Sequence, residues 1–224
     1  MNKDYIKPLV KIYATNADKA NALPMKKYMR DQFEFHGIKM SLRRSLSKTF
    51  IKKYGLPDKI ELSQVVKKLW KLPQREYQYF AMELIEKYSK QFDKKDLRLI
   101  EYIITTKSWW DTVDFIAARL AGNFFKKFPE LIEPETQKWI RSGNIWLQRS
   151  AILFQLKYKS ETDTKLLFGY INKLSGSKEF FIRKAIGWTL REYSKTNPGA
   201  VIEFVKNNEL SPLSKKEALK RMVK

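Results

Sequence analysis

The string Lys107-Ser108-Trp109-Trp110-Asp111-Thr112-Val113-Asp114 is the most unusual in the chain. If a helix starts here, capped by Ser108 or Asp111, then Trp110 and Asp114 stand four residues apart on one face and Trp109 points elsewhere. One indole is then expected to anchor the core and the other to be exposed. A tryptophan at helical spacing is ordinarily core, because it buries ~150–250 Å². Aspartate is almost never buried unpaired, and an acid beside the ring marks this one as a site candidate. A second ring, Trp188, follows one turn after Lys184 in Lys184-Ala185-Ile186-Gly187-Trp188, where the small Gly187 leaves room for a close approach. Such a set suits positive charge: a preorganised carboxylate opposes a developing cation, and each aromatic face adds ~0.5–2 kcal/mol. Cysteine is absent and His36 is the only histidine. The chain therefore has no thiolate nucleophile or thiolate metal site and no pair of histidines to hold a metal, and His36 itself reads as a packed loop residue.

The elements that must position these residues are helical. Glycine and proline mark boundaries at Pro24, Gly37, Gly55 to Pro57, Pro73, Pro129, Pro134, Gly143, Gly176, Pro198 and Pro212. Between them apolar residues recur at i, i+3, i+4 and i+7, as in Tyr77, Phe80, Ala81, Leu84, Ile85 and Tyr88. No period-2 strand stands out, although Tyr102-Ile103-Ile104-Thr105-Thr106 suits either state. Tyr54, Tyr88, Tyr158 and Tyr193 fall on a period of about 35, the length of a two-helix α-solenoid unit. The expected fold is all-α, a single domain over residues 1–224 built as an α-solenoid of HEAT-like repeats with a concave basic groove. The same register sets Asp114, Arg149 and Lys184 at 35-residue intervals. Neighbouring helices pack 8–10 Å apart, so these three line either a groove or a solvent-facing ladder of ion pairs.

The 224 residues, 26.7 kDa, suffice to bury roughly 70–75% of the unfolded surface without staples. A net charge of +21 suggests a polyanionic partner. The charge is uneven: residues 1–60 carry +9, residues 61–136 carry +1 and residues 137–224 carry +11. Two basic ends around a balanced centre could grip a phosphate backbone and keep a different chemistry between them. Charge-free stretches such as Ser150–Leu156 and Leu166–Asn172 run only seven residues, against ~18 for a bilayer span. With no apolar leader at the N-terminus, a cytoplasmic protein is expected.

Three strings closely resemble the AlkD-type bacterial DNA glycosylases: Trp109-Trp110-Asp111-Thr112-Val113-Asp114, Asn144-Ile145-Trp146-Leu147-Gln148-Arg149, and Glu179-Phe180-Phe181-Ile182-Arg183-Lys184-Ala185-Ile186-Gly187-Trp188 with Leu190-Arg191-Glu192-Tyr193. The resemblance extends to Met25 through Gly37 and to Leu69-Trp70-Lys71-Leu72-Pro73-Gln74-Arg75-Glu76, and covers nearly the whole chain. It implies HEAT-like repeats and the removal of cationic N3- and N7-alkylated purines from duplex DNA. Carried over position by position, it implies active-site roles for Trp110, Trp188, Asp114 and Arg149, and DNA contacts at Tyr28, Lys157 and Arg191. Lys184, in register with Asp114 and Arg149, joins these contacts. No metal or other cofactor is expected, and the partner is alkylated double-stranded DNA, bound by a monomer that is nucleoid-associated during repair.

An N3- or N7-alkylated purine is already positive and leaves without protonation. Asp114 then serves either as counter-charge to an oxocarbenium-like sugar or as the group that orients the attacking water. Arg149 is expected to hold a phosphate and to keep Asp114 ionised. The resemblance also implies that the lesion is engaged through the backbone without a tight base-flipping pocket, and that the product is an intact strand with an abasic site. The rival readings are a duplex-DNA binder that turns nothing over and a helical scaffold for RNA or an acidic protein.

Overall fold

The computed structural model describes residues 5–222. They are all-α, with no strand among the described residues. Contacts divide the chain into two compact units, Met1–Lys90 and Gln91–Lys224. No helix among the described residues is long and apolar enough to cross a membrane.

The first unit holds α1 (Ile6–Thr15), α2 (Lys19–Tyr28), α3 (Met40–Tyr54), α4 (Lys59–Lys71) and α5 (Arg75–Glu86). Tyr13, Phe50, Val66, Trp70, Phe80 and Ile85 form its core. Two of the strings singled out in the sequence meet here. The buried Glu76 carboxylate accepts the backbone N–H groups of His36, Gly37 and Ile38 at 3.1, 2.9 and 3.1 Å. Gly37 is required at this turn: its φ is +85°, and a Cβ would stand 2.0 Å from the Asp18 carbonyl oxygen. His36 is packed as expected, its Nε2 2.8 Å from the Tyr77 hydroxyl.

The second unit holds α6 (Asp96–Thr105), α7 (Trp110–Phe115), a π-helical segment (Ile116–Ala121), α8 (Gly122–Lys127), α9 (Ile132–Arg141), α10 (Ile145–Leu153), α11 (Thr164–Leu174), α12 (Phe180–Tyr193), α13 (Pro198–Asn207) and α14 (Pro212–Leu219). The second helices of successive pairs stack in order: the π-helical segment on α10, α10 on α12 and α12 on α14. This is the α-solenoid arrangement that the 35-residue period predicts.

Hydroxyl bonds between equivalent positions fasten the repeats. Tyr13 meets Ser47 at 2.8 Å, Thr136 meets Tyr170 at 2.5 Å, and Tyr158 donates to the Gly122 carbonyl at 2.7 Å. Tyr88 donates to the Pro57 carbonyl. Each partner pair is 31 to 36 residues apart, so the period is a physical repeat of the contacts. Of the four register tyrosines, Tyr54 and Tyr193 instead lie ring to ring with Phe50 and Phe168.

Three local expectations are corrected. Pro24 does not bound a helix but lies inside α2, on an exposed flank where Asp18 caps the N-terminus through Ala20 and Asn21 at 2.9 and 3.2 Å. Pro134 lies in the first turn of α9, where a missing N–H costs no helical bond. Neither Ser108 nor Asp111 caps α7. Trp109 takes the N-cap position with extended backbone, φ −158° and ψ 160°, and Ser108 turns back to donate to the Ile104 carbonyl at 2.6 Å. The ambiguous stretch Tyr102 to Thr106 is helical through Thr105.

Candidate active site

The residues of the central string are held by α7, which follows a tight turn. Lys107 adopts φ +49°, a left-handed conformation rare for a side-chain-bearing residue. Two residues later the extended Trp109 sends its ring into an aromatic cluster, with centroids 5.8 Å from Trp146 and 5.1 Å from Phe181. Its Nε1 is buried without a hydrogen-bond partner. Trp110, the next residue, lines a recess instead. Both rings are half-buried, so the expected split into one core and one exposed indole becomes a split between cluster and recess.

One turn beyond Trp110, Asp114 meets Arg149 of α10 side-on. Arg149 Nε donates to Oδ1 at 2.7 Å and Nη2 to Oδ2 at 2.9 Å. The Arg149 Nη1 donates to the Phe181 carbonyl on α12. Arg149 is thus nearly buried, 5% of its side chain exposed, and spans three successive repeats. The fork occupies one lone pair on each Asp114 oxygen and leaves the carboxylate, 15% exposed, room for a further partner.

Burial pushes the Asp114 carboxyl above its ordinary value. Two hydrogen bonds and the charge of Arg149 oppose that shift, and the nearby Asp111 adds to it. Arg149 thus acts in the direction expected of it, favouring the ionised carboxylate against the desolvation that raises it.

The recess measures about 260 Å³ and is lined by Trp110, Arg149, Phe180, Phe181, Lys184, Trp188, Arg191 and Glu217. Trp188, half-buried on α12, faces it between Lys184 and Arg191, which are four residues before it and three after. Lys184 does not join an ion-pair ladder with Asp114 and Arg149. Its ammonium donates to Glu217 Oε1 at 2.8 Å, and Arg191 Nη1 donates to Glu217 Oε2 at 2.5 Å. The two cations pull the Glu217 carboxyl below its ordinary value, Lys184 most strongly. Glu217 was not foreseen from the sequence. The signal that could have found it is its isolation, as the lone carboxylate of residues 210–224 among Lys215, Lys216, Lys220 and Arg221.

Two further candidates lie elsewhere. Lys157 is exposed in the turn after α10 and does not line the recess. Tyr28, at the end of α2 in the first unit, is 70% exposed and lines an apolar pocket of about 410 Å³ with Met25, Met29, Phe35 and Tyr79. No group of three or more Asp, Glu or His among the described residues is placed to hold a metal ion. The recess offers two indole walls and two cations paired to Glu217, and Arg149 links its lining to the carboxylate of Asp114, which is not itself a lining residue.

A family model described as DNA alkylation repair enzyme matches residues 11–222. A solved structure described as a predicted DNA alkylation repair enzyme from Enterococcus faecalis is similar at a TM-score of 0.85 and 34% identity, covering 93% of this chain and 97% of that one. No curated protein matches the chain.

Proposed function

Because the chain belongs to the DNA alkylation repair enzyme family, we propose that it is a monofunctional glycosylase that hydrolyses the N-glycosidic bond of cationic alkylated purines in duplex DNA. The observation that carries this reading is the side-on Asp114–Arg149 pair next to the recess walled by Trp110 and Trp188.

An N3- or N7-alkylated purine departs with the electron pair of its bond to C1′ and becomes neutral. Positive charge passes to the sugar, and water adds at C1′ and releases a proton. The Trp110 and Trp188 faces suit the cationic sugar and base. Asp114 supplies the full negative charge, and its raised affinity for protons suits it to take the proton from the attacking water. Arg149, already engaged by Asp114 and the Phe181 carbonyl, acts in this reading as the holder of Asp114 rather than as a phosphate ligand. Lys184 and Arg191 take the phosphates beside the lesion, with Lys157 and Tyr28 as further DNA contacts. No lysine acts as nucleophile, so the strand stays whole and carries an abasic site. An open recess with half-buried indoles supports engagement of the lesion from the backbone side without a tight base pocket.

The test is release of free 7-methylguanine or 3-methyladenine from methylated duplex DNA, with the strand analysed before and after base treatment. Base release with nicking only after treatment is expected. Duplex binding without release would leave a non-catalytic binder, and nicking before treatment would exclude the monofunctional mechanism.

A further inference from the structure

Glu217 comes to the recess because α14 closes against α12 at one glycine. A Cβ on Gly187 would stand 2.4 Å from Glu217 Cβ and 2.9 Å from the Ser214 carbonyl oxygen. With no side chain there, the helices pack almost backbone to backbone. Ser214, nearly fully buried, donates from Oγ to the Arg183 carbonyl at 3.0 Å, and Ser211 caps α14 by accepting the Ser214 N–H at 3.1 Å. This docking sets the Glu217 carboxylate across one face of α12, where Lys184, Trp188 and Arg191 stand at i, i+4 and i+7. One oxygen takes each cation.

We propose that Glu217 is a positioning residue that clasps Lys184 and Arg191 on either side of Trp188 and yields them to DNA phosphate when the duplex binds, which makes α14 part of the active site. This rests on the glycosylase reading for its catalytic half alone. Two side chains seven residues apart on a helix need a shared anchor to stay together, Lys184 being 36% exposed and otherwise held, among the described residues, only by its approach to the Phe180 ring at 6.0 Å. Left uncompensated, their charges would also face a recess that has to accept a cationic base and a cationic sugar. The clasp balances one of the two charges until phosphates take over both.

Glu217→Gln keeps the shape and removes the charge. This variant is expected to bind unmodified duplex about 3- to 10-fold more tightly at low salt, with a salt slope steeper by up to about 1, because wild-type Glu217, once it has yielded its cations, takes up a solution cation that offsets one of the counterions released by the phosphates. Its single-turnover release of methylated purine is expected to fall at least ~10-fold. Adding Lys184→Met and Arg191→Met to the variant should abolish the extra slope, since the released cations are then gone. In the wild-type protein the Glu217 carboxyl, followed by NMR titration, should move up on adding duplex as its cations are withdrawn. Wild-type affinity and slope in Glu217→Gln at an unchanged melting temperature would overturn the proposal. So would a Glu217 titration that duplex leaves unmoved. If the wild-type protein releases no base, the glycosylase reading falls, while the duplex affinity, salt slope and titration still decide the role of Glu217.

Discussion

Asp114 and Arg149 stand at equivalent positions of consecutive repeats and meet through two parallel hydrogen bonds, at 2.7 and 2.9 Å, on side chains that are almost wholly withdrawn from water. A side-on guanidinium fixes the plane of a carboxylate as well as its place. The third contact of the guanidinium, to the Phe181 carbonyl, carries that fix to the helix that bears Trp188. The carboxylate and the indole are thus referenced to each other by a single arginine.

Asp114→Asn should preserve the shape of this arrangement and remove its charge. Excision of methylated purines is expected to fall by ~10²–10³-fold, the loss typical of removing a preorganised electrostatic partner. Duplex affinity should stay within a few-fold of wild type, since no phosphate contact is assigned to Asp114. Single-turnover base release and equilibrium binding measured on the same substrate check both halves, and undiminished release would remove Asp114 from the mechanism.

The pH dependence follows from the raised Asp114 carboxyl. Catalysis requires the ionised form, and a raised value means that protonation begins at a higher pH than the ~3.9 of an ordinary aspartate. Excision should therefore be at its plateau near neutrality and fall as pH decreases through that raised value. Arg149→Lys replaces the fork by a point charge that cannot make both bonds. It weakens the influences that oppose desolvation and should move the acid limb to higher pH, with a lower plateau rate. A pH profile of single-turnover release on both proteins measures the shift, and coincident limbs would exclude Asp114 as the titrating group.

Much of this site was legible in the sequence because repeat proteins convert sequence spacing into spatial adjacency. Asp114 and Arg149 are one period apart, and one period is the distance between neighbouring inner helices. Trp110 and Trp188 were legible as aromatic residues beside charge. Glu217 was not, for it lies two residues off the register and reaches the recess only because Gly187 lets α14 approach so closely. Lys184 stands at the backbone position equivalent to that of Arg149 and lines the same recess, the groove alternative of the two that its spacing left open, but its more exposed side chain pairs with Glu217 rather than with Asp114. The π-helical segment after Asp114 carries no composition that separates it from an ordinary helix. The segment packs against α10 and α6.

Gly122 and Gly187 make parallel predictions for stability. At Gly122 a Cβ would stand 2.7 Å from the Phe154 carbonyl oxygen, and the Gly122 carbonyl receives the Tyr158 hydroxyl. Both obstacles at Gly187 are on α14, in or next to its backbone. Neither contact can be relieved by swinging the end of a flexible side chain, so the helices must separate. Each alanine substitution is expected to cost about 1–3 kcal/mol, the range for overpacking, seen as a lower melting temperature. Gly187→Ala should in addition perturb the recess, reducing excision beyond what its stability loss explains, whereas Gly122→Ala acts through stability alone. Equal residual activity in the two variants at a temperature where both are folded would argue against the α14 contribution.

Acid stability should depend on an ion pair in the first unit. Glu83 receives Arg43 Nη1 and Nη2 at 2.7 and 2.9 Å and Arg44 Nε at 3.1 Å. Burial alone would push its carboxyl up, but the bonds and charges of Arg43 and then Arg44 hold it below the ordinary value. A carboxylate depressed in the folded state stabilises it fully above the unfolded value, about 4.3 for glutamate, and the contribution disappears as pH falls through the folded value. Melting temperature should accordingly drop as pH is lowered below about 4. Glu83→Gln should be less stable than wild type at neutral pH, because it leaves the nearly buried Arg43 without its counter-charge. The gap between the two proteins should narrow as the wild-type Glu83 becomes protonated. Melting curves from neutrality to about pH 2 test this, and a gap that stays constant over that range would show that Glu83 contributes packing rather than charge.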